Sequence, residues 1–210
     1  AKDMNVIPIG SYGISPDTAQ RIKDRTEKPK DIVIFTSYVP LFKHPKLKSF
    51  IINLARQFPD RTIWLQLKSY YHKNRTAMNF IDECKSSADN IRFSDALLND
   101  LIERAGFAFS DPATIIMETL QFQIPSFVID VVEQHSYCIY REFPFLCQND
   151  ADEAAQLIRS IEANEWTYPF KSYKDLVEMP DISIFDQIRS DLNLDPSKKS
   201  SASEELQDVL

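Results

Sequence analysis

The stretch GFAFSDPATIIMETLQFQIPSFVID, residues 106–130, decides the fold of this chain. Two short apolar runs flank a central part whose apolar residues recur at helical spacing. Asp111 is a good N-cap for that helix, and Pro112 suits its first position because a missing N–H costs nothing there. The stretch therefore predicts a strand, a helix and a second strand, with FAF at the end of the first strand.

Strands and helices alternate along most of the remaining chain. Residues 18–30 are charged and only loosely helical. Apolar runs predict strands at 5–10, 32–35 and 62–67 and in NIRFSD, whereas amphipathic spacing predicts helices at 45–57, in NRTAMNFIDECKSSA, at 95–105 before Gly106, and in NDADEAAQLIRSIEANE behind Asn149 or Asp150. This alternation predicts a doubly wound, mostly parallel sheet of the Rossmann-like type, in three layers, α/β/α.

The domain organisation follows from a change in composition near residue 170. Residues 1–170 are expected to form the Rossmann-like domain, and 171–193 a helical extension that includes ISIFDQIRSDL. The polar tail, 194–210, is expected to be disordered. Because the first residue is alanine, the chain is interpreted as a processed protein or an excised piece of a longer one.

Composition excludes several classes of protein. A net charge of −7 argues against non-specific nucleic-acid binding. No run reaches the ~18 apolar residues of a membrane span, and no signal peptide opens the chain. The only glycines are Gly10, Gly13 and Gly106, so a G-x-G-x-x-G fingerprint or Walker loop is absent. The three cysteines are widely spaced and odd in number, which favours a reducing cytosol.

A candidate site lies at the predicted helix start in residues 106–130. Ala113 and Thr114 fall in the first turn, whose backbone N–H groups suit an anion at the carboxyl edge of the sheet. Glu118 follows Thr114 by four residues, on the same face and about 6 Å along the axis. A diphosphate on the first turn would place ribose hydroxyls near that carboxylate. Spacing alone favours a capped core helix that carries an exposed glutamate.

The histidines and the basic residues are the other candidates for chemistry. His44, His72 and His135 are far apart in sequence, so no metal site is predicted. KPK, KHPKLK and SYYHKNR form small basic islands, interpreted as a solvated face. The last of these also suits an anionic glycan or a lipid headgroup.

The sequence also resembles a known protein family. Residues 110–130, SDPATIIMETLQFQIPSFVID, resemble the nucleotide-sugar half of GT-B glycosyltransferases, and ETLQFQIPSFVI is similar to the family pattern E-A-L-x-x-G-x-P-x-x-x. REFPFLCQNDADEAAQLIRSIE is similar to a part of bacterial surface-polysaccharide enzymes in which a short strand leads into a helix. NVIPIGSY and DIVIFTSYVP look like the entry to the same half, so the resemblance covers about residues 5–165.

The resemblance implies roles for residues along the donor. Glu118 would bind ribose hydroxyls. Ser110, Ala113 and Thr114 would lie at the diphosphate, with backbone and hydroxyl donors from the last two. Lys68 would occupy the place of a basic residue that offsets the diphosphate charge.

The resemblance implies roles for two more residues, and the chain differs from the family pattern at two positions. The loop FSDAL, with Ser94, would lie near the base, and Ser37 would face the sugar or the acceptor. The family prefers glycine where this chain has Gln123, and small residues where it has Asp111–Pro112. An anionic Asp111 would repel a phosphate unless it turns inward to cap the helix.

The resemblance also implies a function. The chain would be the donor-binding half of a glycosyltransferase in bacterial surface polysaccharide or lipopolysaccharide biosynthesis, weakly active or inactive alone. It would need no cofactor and no obligatory metal, since helix-start amides and a basic side chain stabilise the leaving group. The catalytic base would come from an N-terminal Rossmann-like domain missing from this chain. The expected partners are a nucleotide sugar and a glycan or lipid-linked acceptor, in the cytoplasm, and peripheral association with the inner face of the membrane is left open.

Two alternatives stay open. One is a nucleotide-sugar epimerase-type enzyme of the same architecture, for which the sequence offers few ionisable residues around the sugar. The other is a non-catalytic α/β module that binds a protein partner. The scarcity of glycine and the presence of Asp111 at the helix start favour this second alternative.

Overall fold

Six strands form one parallel sheet in the part of the chain that the structure describes. They are β1 (Asp31–Thr36), β2 (Ile63–Leu67), β3 (Ile91–Ser94), β4 (Ala105–Ser110), β5 (Ser126–Ile129) and β6 (Cys147–Gln148). The order across the sheet is β3–β2–β1–β4–β5–β6, and all neighbouring pairs are parallel. The chain winds outward from β1 to β3, returns to the centre at β4 and winds outward again. The predicted doubly wound Rossmann-like fold is therefore confirmed.

The computed structural model describes residues 16–37, 39–68, 71–131, 139–143 and 145–173. These residues belong to one unit, Ser11–Glu178, and a second unit, Ala1–Gly10 with Met179–Leu210, lies outside the described ranges. The strand predicted at 5–10, the helix in ISIFDQIRSDL and the polar tail 194–210 also lie outside them. The predicted domain boundaries stay predictions.

Helices cover both faces of the sheet. They are α1 (Pro16–Asp24), α2 (Val39–Phe42), α3 (Pro45–Gln57), α4 (Arg75–Ser87), α5 (Leu98–Ile102), α6 (Ile115–Gln121) and α7 (Ala151–Glu162), with 3₁₀ turns at Ile139–Glu142 and Phe170–Tyr173. α3, α4 and α7 pack on one face, whereas α1 and α5 pack on the other. No helix in the described ranges is both long and apolar enough to cross a membrane.

Strand β1 lies at the centre of both cores. Ile32 and Ile34 join the cluster that contains α3, α4 and α7, and Val33 and Phe35 join the cluster that contains α1 and α5. Successive side chains of a strand point to opposite faces, so a strand covered on both faces must be apolar throughout. This is why DIVIFT reads as one continuous apolar run rather than an alternating one.

The helix predicted at 95–105 is wrong at both ends. α5 covers only Leu98–Ile102, and Gly106 is the second residue of β4 rather than a helix cap. A Cβ atom on Gly106 would lie 2.0 Å from the backbone oxygen of Pro29. The glycine is therefore required by the close approach of the chain just before β1, a contact that local sequence does not reveal.

Helix α6 ends in a motif that needs a left-handed residue. The N–H of Ile124 donates to the Thr119 carbonyl (3.2 Å) and the N–H of Gln123 to the Leu120 carbonyl (3.0 Å), which is the Schellman pattern. Gln123 has φ 55°. At the end of α7 the equivalent position is Asn164, with φ 57°. The family preference for glycine at the position of Gln123 thus has a backbone cause.

We expect Gln123→Gly to raise the free energy of unfolding by about 0.5–1 kcal/mol, because glycine adopts positive φ without a steric penalty. Gln123→Val should lower it by more than ~1 kcal/mol, since a β-branched residue is strained there. Urea unfolding of both variants measures the difference. Gln123 is exposed, so lost packing does not confuse the comparison. Equal stability of the two variants would contradict the backbone assignment.

Three buried side chains can lose a proton at alkaline pH: Cys84 on α4, Tyr168, and Tyr173 in the 3₁₀ turn at Phe170–Tyr173. Burial raises the pKa of the Cys84 thiol to about 12 and that of Tyr173 to about 12. Burial, followed by the neighbouring charge of Tyr173, raises the pKa of Tyr168 well above its usual range. Tyr168 donates its hydroxyl proton to the backbone oxygen of Ser126. All three groups are neutral in the folded chain where an unfolded chain would ionise.

These shifts predict a loss of stability at alkaline pH. An acid whose pKa is raised by folding stabilises the fold fully below its unfolded pKa, and that stability falls as pH rises toward the folded pKa. Cys84, with an unfolded pKa near 8.5, should cost roughly 2 kcal/mol between pH 7 and pH 10. Urea unfolding of native chain and Cys84→Ala at both pH values should show a smaller decline in the variant. An identical decline would contradict the assignment to Cys84.

Candidate functional site

The strand ends bring four of the predicted site residues to one edge of the sheet. Ser37 follows β1, Lys68 follows β2, and Ser94 and Ser110 are the last residues of β3 and β4. In the ladder Phe35 pairs with Ser110 and Gln66 pairs with Ser94, so these strands end nearly level. The carboxyl edge of an open parallel sheet is where such folds bind ligands.

The junction of β1 and β4 is closed by the Asp111 carboxylate. Its Oδ2 accepts the backbone N–H of Ser37 (2.7 Å) and its Oδ1 accepts the Ser37 hydroxyl (2.9 Å). The Ser110 hydroxyl donates to the Asp111 backbone oxygen (2.6 Å). Asp111 is only 1% exposed. A buried carboxylate is stable here because several donors replace water.

The predicted helix start is therefore wrong. Asp111 is not the N-cap and Pro112 is not helical, since α6 begins at Ile115 with Thr114 as N-cap. The Asp111 side chain turns inward, as a nearby phosphate would require, but it binds Ser37 across the sheet instead of capping the helix. Its carboxylate accepts hydrogen bonds in the protein interior rather than facing the mouth of α6.

The segment between Asp111 and α6 is held by its carbonyls. The Tyr140 hydroxyl donates to the Ala113 carbonyl (2.9 Å), and the N–H of Met117 donates to the Thr114 carbonyl (2.9 Å). Among the described residues no acceptor is found for the N–H groups of Ala113 and Thr114. Thr114 is exposed, and its side chain makes no capping hydrogen bond. Two backbone donors at this edge are thus without an acceptor in the described part of the chain.

Glu118 lies one turn further along α6 and is half-buried. Ile116 and Leu120, on the same helix, are buried in the core. Thr119 donates its hydroxyl proton to the Ile116 carbonyl and accepts one from Ser126 (2.7 Å), which attaches α6 to the start of β5. The helix that carries the carboxylate is therefore fixed on its sheet side.

The edge on the β2 and β3 side is built from loops with internal hydrogen bonds. Ser94 is buried, and its hydroxyl oxygen accepts the N–H of Ala96 (3.2 Å). Gln66 donates to the Ala96 carbonyl (2.9 Å). Lys68 is exposed just beyond β2. The loop predicted to lie near a base is thus held against β2 by a side chain of that strand.

Sequence reasoning missed an ion pair after β5. Arg141 holds Asp130 through two contacts, Nε to Oδ2 at 2.5 Å and a terminal nitrogen to Oδ1 at 2.8 Å. The neighbouring Tyr140 is the residue that reaches Ala113. Asp130 follows its strand as Asp111 follows β4, and that parallel was the available signal. The pair anchors the 3₁₀ turn beside the candidate site.

The histidines in the described ranges have structural partners. His44 Nδ1 accepts the N–H of Lys46 (3.3 Å) at the start of α3, and the His72 ring lies edge-on to Phe93 at 5.4 Å. His135 lies outside the described ranges. No group of three or more metal-ligating side chains occurs within them. The expectation that no metal is needed stays a prediction.

Comparison with known proteins supports the fold. No protein-family model and no curated protein matches the chain. Among solved structures it resembles the wall teichoic acid polymerase TagF (15% identity, 86% of this chain, 47% of that chain, TM-score 0.54). It also resembles S. aureus MnaA solved with UDP (17% identity, 93% of this chain, 56% of that chain, TM-score 0.53).

These likenesses show the class of fold. The Rossmann-like α/β architecture expected from the GT-B resemblance is confirmed, and the similarity extends over most of this chain. The chain spans about half the length of the solved chains that it matches, 47% of one and 56% of the other.

The Asp111 contacts lead to a test of the site's rigidity. Asp111→Ala removes both oxygens that accept from Ser37 and should cost about 2–3 kcal/mol of unfolding free energy. Asp111→Asn keeps one acceptor, and the Ser37 hydroxyl can accept from the new amide, so it should cost about 1 kcal/mol. Chemical denaturation of both variants measures this order. Indistinguishable losses would show that the carboxylate oxygens are not what joins β1 to β4.

Proposed function

We propose that this chain is the nucleotide-sugar-binding half of a GT-B-type glycosyltransferase that acts in bacterial surface polysaccharide biosynthesis. The observation that carries the proposal is the pair of available N–H groups at Ala113 and Thr114, at the carboxyl edge and beside the point where the strand order reverses. Open α/β sheets bind ligands in this crevice. The likeness to S. aureus MnaA, a chain solved with UDP, supports a nucleotide as the ligand.

The diphosphate of the donor would bind at the start of α6. Backbone N–H groups at such a position donate hydrogen bonds directly to phosphate oxygens. Because Asp111 is buried against Ser37, its carboxylate is kept away from solvent and from an incoming phosphate. Lys68, exposed after β2, would supply part of the compensating positive charge. Ser110, buried beneath them, would support the segment from below.

The ribose would bind at Glu118. This residue follows Thr114 by one helical turn, about 6 Å along the axis, which is a suitable distance between a diphosphate and a ribose. A carboxylate accepts hydrogen bonds from two vicinal hydroxyls, and charged acceptors make the stronger bonds. Since α6 is attached to β5 through Thr119 and Ser126, little ordering would be needed on binding.

The base and the sugar of the donor would contact loops that follow different strands. The loop after Ser94 would lie beside the base, on the side of β3. Ser37 would face the sugar or the acceptor, with its hydroxyl already oriented by Asp111. In this arrangement the sugar lies over the junction of β1 and β4, at the open side of the crevice.

The chemistry proposed for this half is stabilisation of the leaving group. Amide donors and a basic side chain would bind the departing diphosphate more strongly as its charge develops, without an obligatory metal or cofactor. The catalytic base and the acceptor surface would come from a second Rossmann-like domain. This chain alone would therefore bind donor weakly and transfer sugar poorly. The acceptor would be a glycan or lipid-linked glycan, on the cytoplasmic side of a membrane.

The two alternatives from the sequence use the same fold. An epimerase-type enzyme would share the nucleotide site and differ in the groups around the sugar. A non-catalytic partner-binding module would keep the fold without a nucleotide. Nucleotide binding separates the last from the other two.

Calorimetric titration with UDP, CMP and GDP tests the proposal, with UDP first because of the MnaA likeness. Native chain should bind one of them, and Glu118→Gln should bind it about 10-fold more weakly or worse, because charged hydrogen bonds to ribose are lost. Native chain should bind the 2′-deoxy nucleotide more weakly than the corresponding ribonucleotide. Glu118→Gln should bind the two nucleotides equally. Glu153→Gln, an exposed glutamate of α7, is the matched control and should change nothing.

Absence of binding by every nucleotide, also when the second domain is supplied, would eliminate both enzyme functions and favour the partner-binding module. A similar loss in Glu118→Gln and Glu153→Gln would show that net charge, rather than ribose recognition, sets the affinity.

A further inference from the structure

Two basic islands that are separate in the sequence meet in the fold. The first, KHPKLK, covers residues 43–48, and the described part of the second, YHKNR, covers 71–75. The Phe42 ring contacts Tyr71 edge-on at 6.3 Å and stacks on Phe80 at 5.1 Å. These aromatic contacts hold the start of α3 against the start of α4. Since one island lies at each helix start, the two islands are brought together.

A cleft of about 320 Å³ opens between the two helices. Its polar lining comes from both, and includes Lys43, His44, Lys48, Thr76, Asn79 and Glu83. The two helices follow β1 and β2, so the cleft lies on the carboxyl side of the sheet, as does the proposed donor site. It is separate from α6, which lies over β4 and β5 on the other side of β1.

The charges around the cleft are unbalanced. Glu83 is the one carboxylate among the described residues that line it, and Lys48 holds it at 2.5 Å. Four further cations of the two islands are exposed and form no ion pair with a described carboxylate. Lys43 lines this cleft, Lys46 lines the neighbouring one beside Asp150, and Lys73 and Arg75 lie at the start of α4. We call these four residues and the cleft the basic corner. In a chain with net charge −7, such a concentration of positive charge is a local feature.

The apolar groups of the corner are turned inward. Phe42 is 6% exposed and Phe80 is 2% exposed, whereas the exposed large apolar residues of the described ranges are Leu97, Ile139 and Phe145. Amphipathic membrane anchors combine basic residues with exposed apolar side chains that enter the bilayer. The described residues of the corner offer the charges without such side chains, which favours a discrete anionic ligand over a membrane surface.

We propose that the basic corner binds the phosphate groups of an extended, phosphate-bearing acceptor chain. The exposed cations would contact successive phosphates, while Thr76 and Asn79 would donate hydrogen bonds to a phosphate in the cleft. The term acceptor rests on the proposed function, because the corner and the donor site share one edge of the sheet. The contact with phosphate rests on the corner alone.

The test uses a fluorescent tetramer of abasic deoxyribose phosphates, a sugar-phosphate chain without bases, and its uncharged methylphosphonate analogue. The corner variant replaces Lys43, Lys46, Lys73 and Arg75 with Gln. The control variant replaces Lys23, Lys28, Lys30 and Lys85, which are equally exposed, with Gln and thus has the same net charge. Fluorescence anisotropy of the 210-residue chain measures binding at two salt concentrations.

Native chain should bind the phosphate tetramer and not the analogue, and added salt should weaken binding. The corner variant should bind ~10-fold more weakly or worse, since four charge contacts are lost, and the control variant should stay within about twofold of native. Equal weakening in both variants, or no binding by native chain, would overturn the proposal. Binding only to vesicles of anionic lipid, in a parallel sedimentation assay, would overturn it in favour of a membrane.

The nucleotide titration of the corner variant keeps the two proposals distinct. Unchanged UDP affinity in the corner variant, together with lost tetramer binding, is the expected result. Tetramer binding by native chain without any nucleotide binding would refute the proposed function and leave the phosphate contact standing.

Discussion

The pairing of β1 with β4 is the constraint on which the described structure depends. These strands are far apart in sequence, yet their register brings Ile32 opposite Phe107 and Ile34 opposite Phe109 in one core. The strand order reverses at this pair, so it also creates the crevice at the carboxyl edge. The Asp111 carboxylate closes the same pair at that edge by accepting two hydrogen bonds from Ser37. Core packing and the candidate site therefore share one junction.

Internal hydrogen bonds hold the candidate site in place, and they use mainly the carbonyls of the segment before α6. Tyr140 and Met117 use the carbonyls of the segment before α6, and Asp111 uses the donors of Ser37. Among the described residues, the N–H groups of Ala113 and Thr114 have no acceptor, and such groups suit anions. The basic corner adds side-chain cations along the same edge, on the side of α3 and α4.

Local pattern predicted the elements whose identity depends on local forces. Helix α3 begins and ends where amphipathic spacing placed it, and Asp150 caps α7 through two backbone N–H groups as its acidic first turn indicated. Strand β1 followed from a continuous apolar run because burial on both faces leaves no polar position. The common edge of Ser37, Lys68, Ser94 and Ser110 was also predictable, since parallel strands end together. Their roles toward a nucleotide stay predictions.

The predictions from sequence are wrong where contacts with residues distant in sequence determine the structure. Gly106 resembled a helix cap, and only the approach of Pro29 shows why it belongs to a strand. Asp111 resembled an N-cap, and only Ser37, across the sheet, shows what the carboxylate binds. Likewise, no local pattern relates residues 43–48 to 71–75, because the strand between them must first place both helices on the same face. A residue that is required by a long-range contact can therefore look like a helix cap in the local sequence.

Gly106 has a consequence for recognising relatives of this chain. Because even a methyl group there would collide with the main chain at Pro29, substitution requires a different path for the residues that enter β1. Any homologue that retains that path should carry glycine at this position, whatever its catalytic state. The position is thus a marker of shared backbone geometry, independent of function, and can anchor an alignment in which little else is identical.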